Sequence, residues 1–340
     1  MKRIITFGEI MMRLNPEGYL RFVQADKFEA TYAGGEANVA VSLCNYGMDA
    51  AFVSKVPAHE IGQAAVNELR RYGVDTSLMI RGGDRLGIYF AEKGASQRAS
   101  KVIYDRANSA ISLAKASEFD WEKIFAGADW FHWTGITPAL GGELPAICLE
   151  ACKAAKKLGL TISCDLNYRK KLWTREVAGK VMAELVPYVD VCIAKEEDAK
   201  DVFGIAATDT DLNTGKLSHE GYISVAKQLT ERFGCKKVAI TLRGSISASD
   251  NDWAGMLYSD GKASFSPTYR VHIVDRVGGG DSFGGGLIYA LLSGYDDQKA
   301  INFAVAASCL KHSIDHDFNM MSVSEVESLA AGNTSGRVQR

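Results

Sequence analysis

The sequence predicts an α/β fold in which a doubly wound, mainly parallel sheet is flanked by helices and carries a small β-sheet lid. Two patterns in the 340 residues predict it. Over the C-terminal two thirds, short β-rich runs alternate with segments of helical periodicity. Nearer the N-terminus, two segments show period-2 alternation with turn residues and no helical pattern, which indicates antiparallel strands inserted into the wound domain.

The predicted elements follow one another as βαβ units require. The first strand is expected at 4–10, with a helix around 37–46. The later elements share the same alternation and are expected as strands at 128–133, 160–165, 189–194 and 237–242, with helices at 142–158, 175–188 and 221–233. Such alternation builds one parallel sheet covered on both faces.

The inserted segments are residues 11–33 and 85–107, and we expect them to form a lid over the mouth of the large domain. Decorative surface hairpins are the alternative interpretation. With a third hairpin over 253–267, these parts make a single domain spanning 1–328. Residues 329–340 are polar and contain glycine, so we expect a flexible tail there.

Composition disfavours several classes of protein. The charged fraction is 24% and the formal net charge is -2, so we expect no nucleic-acid partner, because such binding usually needs a clustered basic surface. No apolar run approaches the roughly 18 residues of a membrane span, and the start of the chain lacks the pattern of a secretory leader. The seven cysteines are odd in number and include no CxxC pair, which indicates a reducing, cytoplasmic location. Cys148 and Cys152 could in principle hold a metal, but two small buried residues on a helix face are the interpretation we favour.

Residues 274–286 carry the pattern most closely tied to chemistry. Gly278, Gly279 and Gly280 stand directly before Asp281 and an apolar helical pattern at 287–292. Consecutive glycines present several N–H groups to a ligand without interference from Cβ atoms, and the start of a helix adds the positive end of its dipole. This arrangement predicts an anion hole suited to a phosphoryl group in transfer.

A carboxylate beside a phosphate-binding loop repels its ligand unless it has a task of its own. We expect Asp281 to accept the proton of an attacking hydroxyl group. The alternative is that Asp281 only caps the helix, which would leave the preceding glycines and those at 284–286 unexplained. The sequence lacks a P-loop, the protein-kinase motifs and an early GxGxxG, so a dehydrogenase is disfavoured.

Two N-terminal stretches accompany this motif, Phe7-Gly8-Glu9-Ile10 and the run from Gly34 to Ala40. Together with the run from Asp275 to Asp281, they closely resemble the ribokinase-like (PfkB) carbohydrate kinases over residues 2–325. The resemblance implies a ribokinase-like fold with a β lid that closes over a sugar, ATP and Mg²⁺ as cofactors, and Asp281 as the catalytic base.

Further stretches resemble the branch of this family that phosphorylates the sugar acid 2-keto-3-deoxygluconate. They are Ile88-Tyr89-Phe90, Val102-Ile103-Tyr104-Asp105-Arg106, Asp165-Leu166-Asn167-Tyr168-Arg169, Leu172-Trp173 and 311–319. The resemblance implies that the substrate meets Gly34, Gly35, Tyr89, Tyr104, Arg106, Arg169 and Asp317.

The residue types themselves agree with an acidic substrate. Arg106 ends a predicted lid strand and Arg169 follows a core strand, so closure would bring two guanidinium groups to one pocket. A neutral sugar would leave at least one of these charges unpaired. Tyr89 and Tyr104 offer hydroxyl groups suited to a carboxylate or keto oxygen. For any one of these residues alone, surface salt-bridging or core packing is the alternative.

For ATP, the resemblance implies that Asn167, Arg169 and Lys195 lie near the phosphates. It assigns Thr241, Arg243 and Gly244, at the end of a strand, to the nucleotide side, and ligands do collect at the carboxyl ends of strands in wound sheets.

The chain departs from the family pattern at two places. Many relatives have an Asn-x-x-Glu motif that positions magnesium where this chain reads Lys195-Glu196-Glu197-Asp198, so no protein ligand for a metal is predicted, and Mg²⁺ is expected to arrive with ATP. Val305 stands where many relatives have an asparagine near the adenine, so packing or backbone groups must hold that ring.

The expected partners are a small sugar-acid substrate and ATP, without nucleic acid or membrane. A homo-oligomer is expected, with a dimer through the lids as its form, because lid hairpins expose strand edges. Fructokinase, ribokinase and kinases for other sugar acids, the galacto epimer included, are alternatives in the same class. A non-catalytic sensor of sugar or nucleotide is the alternative from another class.

Overall fold

The computed structural model describes residues 2–206 and 219–336. The strands, in chain order, are β1 (Arg3–Phe7), β2 (Met11–Asn15), β3 (Glu29–Ala33), β4 (Asp49–Val53), β5 (Lys55–Val56), β6 (Ile80–Arg81), β7 (Gly87–Glu92), β8 (Lys101–Asp105), β9 (Trp130–Thr134), β10 (Thr161–Asp165), β11 (Val191–Lys195), β12 (Lys237–Ser245), β13 (Asp250–Ser259), β14 (Lys262–Phe265) and β15 (Tyr269–His272). The α-helices are α1 (Gly35–Asn45), α2 (Glu60–Arg71), α3 (Trp121–Ile124), α4 (Ile136–Ala139), α5 (Leu144–Lys157), α6 (Arg175–Leu185), α7 (Glu196–Phe203), α8 (His219–Phe233), α9 (Gly279–Leu292), α10 (Asp297–Lys311) and α11 (Val323–Ala330).

A large sheet in the order β14-β13-β12-β11-β10-β9-β1-β4 forms the centre of the fold, and β15 pairs with β13. The strands from β12 to β4 run parallel, whereas β13, β14 and β15 pair in antiparallel register. The chain leaves β1 toward β4 on one side and returns to β9 on the other. Reversals of this kind leave a crevice at the carboxyl ends of the strands, where ligands bind in open α/β sheets.

Both faces of this sheet are buried, as the alternation within β1 shows. Ile5 and Phe7 belong to the core under α5, α6 and α8, while Ile4 belongs to the core under α1, α9 and α10. Parallel strands with helices on both faces are buried from both sides, so they read as nearly continuous apolar runs. The predicted doubly wound fold class is therefore confirmed.

A separate small sheet has the order β3-β2-β7-β8. Its strands β2 and β3 come from residues 11–33, and β7 and β8 come from residues 85–107. The pairs β2–β3 and β7–β8 are antiparallel, and β2 pairs with β7 in parallel. One difference from the sequence pattern is a short 3₁₀ turn at Phe22–Gln24.

Other element ends also differ from the predicted ones. β1 ends at Phe7 instead of continuing to residue 10, and β12 continues to Ser245. α11 includes residues 329 and 330, where the tail was expected to begin, and residues 337–340 of that tail lie outside the described part of the chain. In the part of the chain that the structure describes, no helix is both long and apolar enough to span a bilayer.

Candidate active site

A cavity of about 460 Å³ lies where the carboxyl ends of β10, β11 and β12 face the N-terminus of α9. Val102 and Tyr104 of β8 bring the small sheet to the same cavity. The predicted site residues that line it are Tyr104, Asn167, Arg169, Lys195, Thr241, Arg243, Gly278, Gly280 and Asp281. An open groove of about 1390 Å³ adjoins it, shares Tyr104 and Arg169 with it and extends to Arg106.

The remaining predicted residues do not line this cavity. Gly35 lies beside it, since a Cβ there would be 3.6 Å from Oδ1 of Asp281. Gly34 is packed against the backbone, because its Cβ would lie 1.9 Å from the carbonyl oxygen of Glu9. Gly244 lies opposite Asp252 in the β12–β13 pair, and a Cβ on it would contact that side chain.

Asp281 stands in the first turn of α9 and is partly exposed toward the cavity. Its Oδ2 accepts a 2.6 Å hydrogen bond from the amide of Asn38, in the first turn of α1. Burial raises the pKa of the Asp281 carboxyl group, and the Asn38 bond opposes that rise. The N-cap of α9 is Gly278, and no side chain caps this helix, so helix capping does not explain Asp281.

The three glycines of the predicted anion hole have different surroundings. Gly278 has a positive φ of 82°, and its Cβ would lie 1.9 Å from the carbonyl oxygen of Asp317. A Cβ on Gly279 would lie 2.6 Å from the ring of His312. A Cβ on Gly280 would meet no described atom within 4 Å, and Gly280 lines the cavity. Gly280 is therefore the glycine of this loop whose missing side chain leaves room for a ligand.

The backbone of this loop supplies free donors. Ser282 donates the first intrahelical bond of α9, at 2.8 Å to the carbonyl oxygen of Gly278. The N–H groups of Gly280 and Asp281 precede it at the positive end of the helix, where backbone donors have no intrahelical partner. This geometry suits an anion.

The glycines at 284–286, which helix capping by Asp281 alone would leave unexplained, do not line the cavity. They lie inside α9. A Cβ on Gly285 would lie 2.8 Å from Ser42 of α1, and one on Gly286 would lie 3.1 Å from Ala304 of α10. These glycines allow three helices to pack closely, which is a structural requirement.

Arg106 is already paired. Its Nε donates a 2.8 Å hydrogen bond to Oε2 of Glu9, and its Nη2 bonds the same oxygen. Glu9 is 3% exposed, and its Oε1 accepts a bond from Ser109. The Arg106 guanidinium also lies 5.3 Å from the ring centre of Tyr104. Arg106 is therefore not a charge that a neutral sugar would leave unpaired, and the expectation that at least one such charge exists depends on Arg169.

Arg169 differs from Arg106 because it forms no salt bridge with any described residue. It follows β10, is partly exposed in the cavity, and its charge favours the ionised forms of both Asp165 and Asp281. Arg169 thus remains available to an anionic ligand.

The side chains of Tyr89 and Asp317 contact each other and do not line the cavity. The Tyr89 hydroxyl donates to Oδ1 of Asp317 at 2.5 Å, and Oδ2 of Asp317 accepts from Arg13 at 2.5 Å. Arg13 is 1% exposed and also pairs with Asp275 at 2.5 Å. Removing one member of such a buried network leaves an uncompensated charge, so these residues connect the small sheet firmly to the loop before α9.

Asn167 and Asp165 occupy the end of β10. Asn167 has a positive φ of 38°, and its N–H donates to Oδ1 of Asp165 at 3.0 Å. Burial raises the pKa of Asp165 to about 7. Oδ1 of Asn167 is buried without a hydrogen-bond partner, which makes it an unused oxygen ligand at the cavity.

In the segment from Lys195 to Asp198, which departs from the family pattern, the side chain of Asp198 stabilises the start of α7. Oδ2 of Asp198 accepts from the N–H of Lys195 at 3.0 Å, and Oδ1 accepts from the N–H of Tyr168 at 3.2 Å. Asp198 therefore caps α7. Val305 is fully buried in α10 behind Gly255, so it does not reach the cavity.

Sequence reasoning missed several residues here, namely Glu9, Arg13, Asn38 and Arg276. Arg276 lines the cavity, its Nε is buried without a partner, and burial together with the nearby charge of Arg243 lowers its pKa. Two like charges at one cavity favour a bound anion. A signal existed for Arg13, because it is charged at an inward position of an alternating strand.

A wound sheet of this order, with a separate small sheet facing the glycine-rich start of a helix, is the ribokinase-like fold. The chain belongs to the pfkB family carbohydrate kinases, whose family model matches residues 1–313. The predicted family is thereby confirmed, and with it a kinase that uses ATP.

Three relatives are similar to this chain over most of its length. A 2-dehydro-3-deoxygluconokinase from Thermotoga maritima is 53% identical, and its crystal structure has a TM-score of 0.93 and covers 97% of this chain and 98% of that chain. A 2-dehydro-3-deoxygalactonokinase from Haloferax volcanii is 33% identical, with 98% of each chain covered. A 2-dehydro-3-deoxygluconokinase from Bacillus subtilis is 29% identical, with 90% of this chain and 88% of the relative covered.

Proposed function

We propose that the protein transfers the γ-phosphoryl group of ATP to the terminal hydroxyl of 2-keto-3-deoxygluconate, also called 2-dehydro-3-deoxygluconate, giving the 6-phosphate. The observation that carries this proposal is the placement of Asp281 beside an open helix N-terminus, with the unpaired Arg169 in the same cavity. The 53% identity to the Thermotoga maritima kinase supports the choice of substrate.

In the proposed reaction, Asp281 accepts the proton of the sugar hydroxyl as that oxygen bonds to the γ-phosphorus and the bond to the ADP oxygen breaks. Asn38 holds the carboxylate in one orientation through its 2.6 Å bond. The N–H groups of Gly280 and Asp281 stabilise charge on the moving phosphoryl group. Arg243 and Arg276 line the same cavity and would offset the charge of the other ATP phosphates.

Magnesium would reach this cavity on the phosphates of ATP, where it neutralises charge during transfer. Among the described residues, no three His, Cys, Asp or Glu side chains form a cluster that could hold a metal by themselves. The unpartnered Oδ1 of Asn167 and the carboxylate of Asp165 are the oxygen ligands that fit a metal carried in this way.

Arg169 is the residue that we assign to the acid group of the substrate. Bidentate pairing with a carboxylate suits its planar guanidinium, and no described carboxylate forms a salt bridge with it. Arg106 would serve as a second, weaker contact that shares its charge with Glu9. Tyr104, 39% exposed beside both cavities, offers a hydroxyl to the same end of the sugar.

The galacto epimer is a second candidate substrate, because the Haloferax volcanii relative is a 2-dehydro-3-deoxygalactonokinase. ADP formation should be measured with both epimers, with fructose and ribose, and with gluconate as an acid that lacks the keto group. The proposal expects the highest kcat/KM for 2-keto-3-deoxygluconate. A higher value for the galacto epimer would reassign the substrate, and no ADP with any sugar would favour a sensor.

The small sheet is proposed as a lid and as a dimer contact. Its outer face carries Phe22, Phe28 and Phe90, whose rings touch one another, and Ile103 is 43% exposed beside them. An apolar sheet face of this kind is favourable to bury against a second copy. Ile103→Glu should convert a dimer to a monomer in light scattering, whereas Leu158→Glu, on an equally exposed residue of the large domain, should not.

We place the enzyme in the cytoplasm, since all seven cysteines are free.

A further inference from the structure

Lys311, the last residue of α10, is a buried cation that the proposed reaction does not use. Its side chain is 0% exposed. Its ammonium group donates to the backbone carbonyl oxygens of Asp275 at 3.4 Å and Ile314 at 3.3 Å, and also to that of His316. A lysine is rarely fully buried unless it is paired, and here the partners are carbonyl groups.

The three carbonyl groups come from two different segments. Asp275 starts the loop that leads to the anion hole, while Ile314 and His316 lie in the connection that carries Asp317. His316 has a positive φ of 65°, so its backbone adopts a left-handed conformation that turns its carbonyl oxygen to the ammonium group. A non-glycine residue in this region is strained, and such strain persists only where the surroundings enforce it.

Residues at the C-terminal end of α10 pack against the anion-hole loop. Ser308 donates its hydroxyl to the carbonyl oxygen of Gly279 at 2.6 Å, and the His312 ring packs where a Cβ of Gly279 would stand. Lys311 follows Ser308 by three residues, so the two side chains are neighbours on the helix surface. The ammonium therefore connects the loop, through Asp275, to the segment whose Asp317 carbonyl oxygen packs against Gly278.

Burial is the largest influence on the Lys311 ammonium and lowers its pKa. Asp275, Asp317 and Asp315 favour the ionised form and Arg13 opposes it, but the net effect is a lowered pKa. Arg13 is itself held by Asp275 and Asp317. Without the ammonium, three carbonyl dipoles would converge on an empty space inside the protein, and a small monovalent cation is the ligand that carbonyl oxygens of this kind bind.

We propose that Lys311 is a positioning residue, whose ammonium fills a carbonyl cage and holds the anion-hole loop in the geometry that phosphoryl transfer requires. The cage consists of the carbonyl groups of Asp275, Ile314 and His316. Because the cation is covalently attached, the enzyme needs no monovalent cation from solution. This inference rests on the proposed phosphoryl transfer.

The test compares the enzyme with its Lys311→Ala variant in chloride salts of tetramethylammonium, lithium, sodium, potassium and ammonium at one ionic strength. The unchanged enzyme should have the same kcat in all five salts. The variant should lose about 10- to 100-fold in kcat in tetramethylammonium, as a displaced catalytic group does. Potassium or ammonium should restore at least about tenfold, because these ions match a cage of carbonyl oxygens better than lithium does.

Two further variants and one further measurement complete the test. Lys311→Met keeps the aliphatic stem and serves if the alanine variant does not fold; it should lose kcat likewise. Lys299→Ala, on the exposed side of the same helix, should show neither the loss nor a response to cations. Melting temperature should rise with potassium for Lys311→Ala and stay constant for the unchanged enzyme.

Three results would contradict the proposed role of Lys311 in the carbonyl cage. They are full kcat of a folded Lys311 variant in tetramethylammonium, a loss of kcat that neither potassium nor ammonium restores in a folded Lys311→Ala variant, and activation of the unchanged enzyme by potassium. If the unchanged enzyme forms no ADP with any sugar acid, the proposed function fails instead. The cage is then judged by the melting temperatures alone.

Discussion

Asn38 and Asp281 join the first turns of two helices, α1 and α9, through a 2.6 Å bond from amide to carboxylate. The positive ends of both helix dipoles therefore lie near one carboxyl group, which favours its ionised form. Burial acts in the opposite direction and is the larger effect, so the pKa of Asp281 is raised. A general base benefits from a pKa moved toward the operating pH, provided that the carboxylate stays ionised there.

Asp281→Asn tests the base directly. The amide cannot accept the hydroxyl proton, so kcat should fall by about 100-fold or more, with ATP binding by calorimetry and the melting temperature nearly unchanged. Asp297→Asn is the matched control, since Asp297 stands in the first turn of the neighbouring helix α10 and outside the cavity. Turnover of Asp281→Asn close to that of the control would remove Asp281 from the proposed mechanism.

Asn38→Ala should move the pH dependence of the reaction. The Asn38 bond lowers the pKa of Asp281, so its loss raises that pKa further. Because Asp281 acts as a base in its ionised form, activity rises with pH through this pKa, and the acid limb of the kcat profile should shift to higher pH. The loss of activity should accordingly be greatest at low pH. An unshifted limb would show that the bond does not tune the base.

Gly280→Ala and Gly279→Ala should fail in different ways. A Cβ on Gly280 would point into open space at the cavity, so the variant should fold normally but lose affinity for ATP and turnover. A Cβ on Gly279 would lie 2.6 Å from the His312 ring, so this variant should lose stability, by about 1–3 kcal/mol as for overpacked cores. Urea unfolding and steady-state kinetics of both variants separate the two effects. Equal stability losses would contradict this division.

Arg169→Ala should raise the KM for sugar acids relative to neutral sugars by a larger factor than Arg106→Ala does. Loss of a charge-assisted contact of about 1.5–3 kcal/mol raises KM for the sugar acid roughly 10- to 150-fold, with little change for a neutral sugar. Arg106→Ala should weaken turnover of neutral as well as acidic sugars, with only a modest extra loss for acids, because it leaves the buried Glu9 without its salt-bridge partner. The double variant Glu9→Gln/Arg106→Ala removes that buried charge and should recover part of the loss. A purely acid-specific effect of Arg106→Ala would count against its pairing with Glu9.

Glu36→Gln tests a buried carboxyl group under the site. Oε1 of Glu36 accepts from both Thr134 and Thr137, and burial raises its pKa to about 7 from 4.5. Because the pKa of Glu36 is higher in the folded than in the unfolded protein, its protonated carboxyl group favours the folded state. This stabilisation is complete at pH values below the unfolded pKa of 4.5, and it is lost as the pH rises through about 7. Between pH 4.5 and pH 8 the variant should therefore gain roughly 3 kcal/mol in unfolding free energy relative to the unchanged protein.

Denaturant unfolding at several pH values measures this difference. Glu60→Gln is the control, because Glu60 is exposed in the first turn of α2 and should leave the pH dependence of stability unchanged. A constant difference between Glu36→Gln and the unchanged protein across this pH range would mean that Glu36 is ionised throughout.

Much of the fold could be predicted from the sequence because apolar periodicity is a local property. Runs such as those before Asp165 and Lys195 read as buried strands, and the structure places them in the parallel sheet. The anion hole was also predicted as a place, since consecutive glycines before Asp281 leave backbone N–H groups uncovered by side chains of their own. The role of each individual glycine could not be predicted, because the residues that contact this segment, Ser42, Ala304 and His312, come from elsewhere in the chain.

By itself, the sequence determined the fold class, the family and the position of the proposed catalytic carboxylate, since each depends on residue types at short spacing. Only the tertiary structure decided which charges are free. Arg106 meets Glu9 across 97 residues, and Arg13 meets Asp317 across 304. A charge pattern along the chain contains no information on such distant pairs, and in a buried site the energy of a charge depends on its partner. Arg169 lines the cavity and forms no salt bridge among the described residues, which is why we propose it as the contact for the acid group of the substrate.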